Sequence, residues 1–413
     1  MLPLVAALIT LSISATSFAG QMPSTSPDGS YLDNGCNLRL QKIGSDYTIH
    51  KMICDDITLV GEGDEIKVTD TFSAQGKIAR RAHFWKKIYN TFSIREYVIH
   101  SAEFPELVFE VVQSTNQKSA NIRPKKMLRH RISQLRKTLL GMHRKGPDMD
   151  LEGESEIVRK MEHINKKNKY KVAAESLRSQ RGQKEFFEGG FDAARKFIPH
   201  IKPFFSAQGI PTELAYIAFV ESSFNLRAVS KVGASGVYQI MPFIARKMMT
   251  LNKKIDERRD PIKSGKVAAE LFKTNLKLTG TWPLAVTSYN HGPFGIRKAI
   301  RKSGKKTLLG LIENYSSPSF GFASKNFYAE FLGALMTLQE HNLLDLNESK
   351  LMYSEIKLTH SYRVKTILSK YKITREELRS LNPDILSHVA KSNNYVIPKG
   401  YKLKIPLPKV PLS

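Results

Sequence analysis

The chain is poor in cysteine and tryptophan, with two of each in 413 residues. Cys36 and Cys54 lie near the start, and no Cys/His cluster has metal-ligand spacing. That argues against a zinc-finger or iron–sulfur framework, so no metal and no cofactor is expected. Acidic residues are also scarce: 38 Asp and Glu stand against 64 Lys and Arg, a formal charge of +26. None lies between Lys118 and Lys145, between Glu221 and Asp256, or between Glu270 and Glu313. Long apolar runs are missing beyond Met1 to Ala19, so no later stretch reads as a membrane span. That first run ends in Ser17-Phe18-Ala19 before Gly20 and reads as a signal peptide, 1–19. Its lack of Lys or Arg also leaves an uncleaved anchor open. Export makes one Cys36–Cys54 disulfide the expected use of the two thiols, and a periplasmic or cell-envelope location follows.

A charge of this size in a cytosolic protein would suggest nucleic acid. Outside the cytoplasm it points to anionic envelope polymers or membrane surfaces instead, so no nucleic-acid partner is expected. A generally basic proteome accounts for the charge as well.

Apolar content is ordinary at 41%, enough for two or three domains. Residues 20–113 read as a partly β segment, with alternation at Tyr47 to His50 and Ile66 to Thr69. Within it, Phe84, Trp85, Ile88 and Tyr89 suggest a helix, and Leu107 to Val112 an extended stretch. Residues 114–185 read as a basic helical region, where Leu128, Ile132, Leu135, Leu139 and Met142 form an apolar stripe. Its basic outer face reads first as a solvated face. The densest apolar patterning covers 186–340. A polar linker, 341–352, precedes a small module at 353–406.

One residue in the dense region is out of character. Glu221 closes an uncharged run, Leu214-Ala-Tyr-Ile-Ala-Phe-Val-Glu-Ser-Ser-Phe224. Leu214, Ile217, Ala218 and Glu221 share one helical face. Burial favours the protonated form of a carboxyl, as a general acid requires. A surface glutamate at a helix end fits the same periodicity. The blocks that follow decide for the acid. Gly233-Ala-Ser-Gly-Val-Tyr-Gln-Ile-Met-Pro242 offers two glycines, a glutamine with donors and an acceptor, and a helix-starting proline. Ser288-Tyr-Asn-His-Gly292 adds a phenol and an amide. No second carboxylate lies near these blocks in sequence, where a two-carboxylate glycosidase needs one. A lone glutamate suits substrate-assisted cleavage, serving as acid and then base.

The ordered set Glu-Ser-x-Phe, Gly-Ala-Ser-Gly-x-x-Gln-x-Met-Pro and Tyr-Asn-x-Gly resembles the lytic transglycosylases of the soluble and membrane-bound D type. The resemblance covers roughly 80–340. It implies a mainly α chain with a goose-lysozyme-like helical domain. It also implies cleavage of the β-1,4 bond between N-acetylmuramic acid and N-acetylglucosamine in peptidoglycan, leaving a 1,6-anhydro end. Glu221 would be the catalytic residue. Ser230, Gln239, Met241, Tyr289, Asn290 and Tyr328 would contact substrate or the glutamate. Tyr238 stands where Trp or Met is usual, so a reshaped cleft wall is expected there. His291 stands where a small residue is common. The block around Tyr328 lacks the usual Glu-Thr start.

Thr374-Arg-Glu-Glu377 is a capping-box pattern. With Leu381-Asn-Pro383 and Tyr395 to Pro406 it resembles a LysM module, a βααβ unit, without the usual Gly-Asp-Thr-Leu. Glycan strands of peptidoglycan are thus the expected partner, with peripheral envelope association. A lysozyme-like hydrolase and a non-catalytic peptidoglycan-binding protein are the alternatives.

Overall fold

A computed structural model describes residues 32–33, 36–43, 47–54, 65–114, 125–349 and 351–407. The expected signal segment 1–19 lies outside them, and so do the side chains of Cys36 and Cys54. The described chain is mainly helical and divides into two compact units.

One unit holds the described residues up to 188 together with 299–337. It begins with strands β1 (Leu32–Asp33), β2 (Cys36–Ile43), β3 (Tyr47–Cys54), β4 (Glu65–Lys67) and β5 (Ser73–Gln75). Helix α1 (Gly76–Asn90) and strands β6 (Glu96–Ser101) and β7 (Val108–Ser114) follow. Then come α2 (Lys125–Lys145), α3 (Glu152–Lys160), α4 (Lys169–Glu175), β8 (Leu177–Arg181) and α5 (Lys184–Glu188). The main sheet is antiparallel in the order β1-β2-β3-β7-β6-β8. The backbone register sets Cys36 opposite Cys54.

The stripe on α2 behaves as its spacing predicts. Leu128, Leu139 and Met142 are buried and Ile132 and Leu135 pack partly buried, in one cluster with Tyr97, Ile99 and Val112 of the sheet. Lys125, Lys126, Arg129, His130 and Lys137 stay exposed. The helical expectation across 114–185 does not hold near its end. Leu177–Arg181 is a strand, because it pairs with β6 from Tyr97↔Arg181 to Ser101↔Leu177. Pairing with a preformed edge outweighs local helical preference.

The other unit holds 189–298 and the described residues from 338. Its elements are α6 (Phe191–Ala207), a 3-10 turn (Thr212–Tyr216), α7 (Ile217–Ser222), α8 (Pro242–Met248), α9 (Pro261–Thr279) and α10 (Trp282–His291). Helix α11 (Pro293–Ser303) crosses the unit boundary, α12 (Leu308–Asn314) lies in the first unit, and α13 (Phe322–Glu340) crosses back. The span 186–340 is therefore shared between the two units. α9 is fully punctuated. Asp260 caps its start by accepting from the amides of Ile262 and Lys263, Pro261 takes the first turn, and Gly280 closes it at φ 85°.

The segment expected as a linker, 341–352, is held along its length. Tyr216 donates to the carbonyls of Leu343 and Leu344, Lys202 to Leu344, and Ser349 to Lys196. The C-terminal module follows: β9 (Tyr353–Lys357), β10 (Tyr362–Arg363), α14 (Val364–Lys370), α15 (Arg375–Leu381), α16 (Ser387–Lys391), β11 (Val396–Ile397) and β12 (Lys402–Pro406). β9 pairs antiparallel with β12. The Thr374 capping box is present in both directions, Glu377 N–H to Thr374 Oγ1 at 3.1 Å and Thr374 N–H to Glu377 Oε2 at 2.7 Å. The short helix α16 is an addition to the expected βααβ order. No helix among the described residues is long and apolar enough to cross a membrane.

Candidate active site

Glu221 lies on α7, and the apolar residues around it dictate its burial. Leu214, Ala215, Tyr216, Ile217, Ala218 and Phe219 are all fully buried, so this segment is enclosed all round rather than along one stripe. Glu221 is itself 7% exposed. The helix stops one residue later, at Ser222. Ser223 and Phe224 both take left-handed backbone, at φ 50° and 56°, turning the chain away from the helix axis. Backbone of this kind costs about 1 kcal/mol or more per residue and persists only where the surroundings enforce it. Part of that enforcement comes from Gly190, where a Cβ would overlap the Ser223 carbonyl.

Ser222 couples this helix end to the glycine-rich block. Its hydroxyl donates to the Val237 carbonyl at 3.0 Å and accepts from the Asn225 amide at 3.1 Å. The block is a compact double turn in which Ser235 bridges Val229 on one side and Ile240 on the other. Gly233 and Gly236 take φ of 85° and 78°, as their type predicts. Gly236 has a second reason to be glycine: a Cβ there would overlap the Arg258 carbonyl. Gln239 is held at φ 45°, and its Nε2 donates to the carbonyls of Gly236 at 2.8 Å and Ala228 at 3.4 Å. Those two acceptors fix which end of the amide faces the loop. Met241 leads into α8, with Pro242 in its first turn.

Ser230 serves this turn directly. Its Oγ accepts from the Ala234 amide at 2.9 Å, and its backbone N–H donates to the Ala234 carbonyl at 2.9 Å. Tyr289 and Asn290 arrive on α10, both half-buried. The Tyr289 hydroxyl donates to the Tyr238 carbonyl at 2.9 Å, and its ring stacks on Phe272 with centroids 4.8 Å apart. Burial lifts the Tyr289 phenol well above its ordinary value, and the carboxylate of Glu221 adds to the lift. The Tyr289 phenol thus stays neutral within the electrostatic reach of Glu221, in the same unit.

Several expectations change. Tyr238 is not a cleft wall: it is fully buried, donates to the Ala215 carbonyl at 2.9 Å and packs against Gly265 on α9. His291 is half-buried, its ring lying against Gly295. Tyr328 belongs to the other unit, where its buried hydroxyl donates to the Ser73 carbonyl at 3.0 Å. Glu221, Ser230, Gln239, Met241, Tyr289 and Asn290 all fall in one unit.

Sequence reasoning passed over Arg258. Its Nη1 donates to the carbonyls of Gly233 at 2.6 Å and Ile240 at 3.2 Å, which clamps the loop at both ends. Asp256 holds the guanidinium from behind with both carboxylate oxygens, at 2.8 and 2.9 Å. The available signal was Asp256-Glu-Arg-Arg-Asp260, a charge run that reads as solvated but carries the first acids after Glu221.

Residues 206–308 match the Transglycosylase SLT domain. Membrane-bound lytic murein transglycosylase D of Escherichia coli is 33% identical over 105 residues, 24% of this chain and 23% of that protein. The chain thus matches about a quarter of that relative's length. Among solved structures, the lytic transglycosylase Slt of Pseudomonas aeruginosa aligns at 16% identity and TM-score 0.30, covering 56% of this chain and 35% of that one. The 70 kDa soluble lytic transglycosylase of Escherichia coli aligns at 18% identity and TM-score 0.31, covering 54% and 44%. The matched residues 206–308 include Glu221, the glycine-rich block and Tyr289.

Proposed function

We propose that this protein is a peptidoglycan lytic transglycosylase. It cleaves the β-1,4 bond between N-acetylmuramic acid and N-acetylglucosamine. The observation that carries the reading is a buried glutamate in electrostatic reach of a half-buried, neutral phenol, inside the residues that match the SLT domain. Burial favours the protonated carboxyl, so Glu221 donates its proton to the leaving glycosidic oxygen. The sugar's own N-acetyl group stabilises the cation at the anomeric carbon. The Glu221 carboxylate then takes the proton from the muramoyl 6-hydroxyl, which closes the 1,6-anhydro ring. One residue serves in both directions, and no water is consumed.

Gln239, held by two backbone carbonyls, presents its amide to substrate, with Met241, Tyr289 and Asn290 alongside. Ser230 acts through the turn it closes. The pairing of β9 with β12 around α14 and α15 supports a LysM-like module. The Cys36↔Cys54 register supports one disulfide. The relative's membrane-bound, murein-directed name supports a cell-envelope location reached by export.

Mass spectrometry of muropeptides released from sacculi tests the activity. Wild type should release 1,6-anhydro ends and Glu221→Gln should release none. Reducing ends from wild type would make the protein a hydrolase, and undiminished release by Glu221→Gln would remove Glu221 from the chemistry.

A further inference from the structure

The C-terminal module and the catalytic loop meet at the same short segment, 255–263. On one side of it Arg258 clamps Gly233 and Ile240, as described above. On the other side the module grips the segment through backbone, core and charge. The Asp256 amide donates to the Asp384 carbonyl at 2.9 Å and the Leu386 amide to the Lys254 carbonyl at 3.0 Å, flanking an Ile255↔Ile385 bridge. Ile255 is buried in the module's own core with Leu378, Val389 and Leu403.

Two ion pairs complete the grip. Lys263 donates to Asp384 at 2.7 Å and to Glu257 at 3.0 Å. Lys404, on β12, donates to Asp260, the residue that caps α9. Lys404, Asp260 and Asp384 are all almost fully buried. The supports are themselves supported. Tyr401 donates to Asp384 at 2.8 Å, and Asn382 holds the backbone of Lys404 from both sides at 2.8 Å. Burial pulls the Lys263 ammonium down, but Asp384, Asp260 and Glu257 outweigh it and keep Lys263 charged.

Buried pairs of this kind add little net stability over apolar packing, yet they fix geometry strongly and are costly to break one-sidedly. Here the geometry they fix is the backbone that carries Arg258. We propose that the C-terminal module is a brace for the active-site loop, and that Asp384 is a positioning residue acting through the Asp256–Arg258 pair on Gly236 to Gln239. This role differs from glycan capture by a tethered module, and its catalytic arm rests on the activity proposed above.

The test uses the full chain with Asp384→Asn, Arg258→Lys and the double variant. Asp384→Asn should lower kcat about ten-fold with KM changed less than about two-fold, at a temperature where circular dichroism shows it folded. The double variant should be no slower than Arg258→Lys alone, because both act through one clamp. Hydrogen exchange gives a readout independent of turnover. In Asp384→Asn the amides of Gly236, Gln239 and Ile240 should exchange about ten-fold faster, while those of α6 and α10 keep their protection. Wild-type exchange at those three amides in a folded Asp384→Asn protein overturns the brace, whether or not the protein cleaves peptidoglycan. Fully additive losses in kcat overturn the route through Arg258.

Discussion

Two glutamates sit in apolar helical sequence, and their surroundings make them different groups. Glu221 lies in the last turn of α7, with the Tyr289 phenol in electrostatic reach and a fixed glutamine in the adjoining loop. Glu330 lies within α13, in Phe327-Tyr-Ala-Glu-Phe-Leu332, inside the other unit. Burial pushes the Glu330 carboxyl up to about 8, with Arg178 pulling the other way. Arg178 in turn lies over the Phe322 ring at 3.5 Å, and that ring is 5.8 Å from His100. Burial, reinforced by Arg178, holds the fully enclosed His100 down at about 3. A carboxyl on an apolar face is thus not a catalytic signature. The left-handed turn after α7, and the glycine-rich block tied to it through Ser222, distinguish the first glutamate from the second.

The sharpest way to break this contrast is to neutralise each acid. Glu221→Gln should lower anhydromuropeptide release about a thousand-fold or more while sacculus binding persists. Glu330→Gln should leave release within about two-fold of wild type. Equal losses from both would erase the distinction.

The loop facing Glu221 gives the next effect in size. Gly236→Ala combines positive φ with overlap at the Arg258 carbonyl, and should cost about 3 kcal/mol in thermal unfolding. Gly233→Ala meets only the Pro242 ring, at 3.3 Å, and should cost about 1 kcal/mol.

Glu330 has its own signature in pH. Its carboxyl binds a proton more tightly folded (about 8) than unfolded (4.5), so its contribution to stability falls as pH rises between those values. His100 binds a proton less tightly folded (about 3) than unfolded (6.5), so its contribution falls as pH drops through that window. Between 4.5 and 6.5 the two slopes oppose each other. From 6.5 to about 8 Glu330 acts alone, at about 1.4 kcal/mol per pH unit, or about 2 kcal/mol in all. Thermal melts of Glu330→Gln should lose that alkaline slope and keep the acid one. An unchanged alkaline slope would assign it to another group.

Tyr289→Phe is a further small change. It strips one hydroxyl from beside Glu221 and leaves the Tyr238 carbonyl without that donor, so kcat should fall about ten-fold while the stacking on Phe272 survives.

Much of this was legible in the sequence because the signals were local. The stripe on α2, the capping box at Thr374 and the positive φ at Gly233 and Gly236 each follow from residues a few positions apart. The block order around Glu221 was equally readable. What escaped depends on partners far away in sequence. Leu177–Arg181 became a strand only because β6 was there to pair with it. Tyr238 went into the core through Ala215 and α9. Arg258 looked solvated because the carbonyls it serves lie 18 and 25 residues earlier. Glu330 was passed over because no local pattern separates it from an ordinary helical glutamate.

The pairing of Asp260 with Lys404 spans 144 residues of chain. Its consequence lies in time rather than in space. While the polypeptide is being made, the α9 cap exists long before its buried counter-charge, and Asp384 likewise follows Lys263 by 121 residues. An early fold would leave Asp260 desolvated without its partner, which is costly. A chain cut before β12 should therefore show faster amide exchange across the segment that carries Arg258.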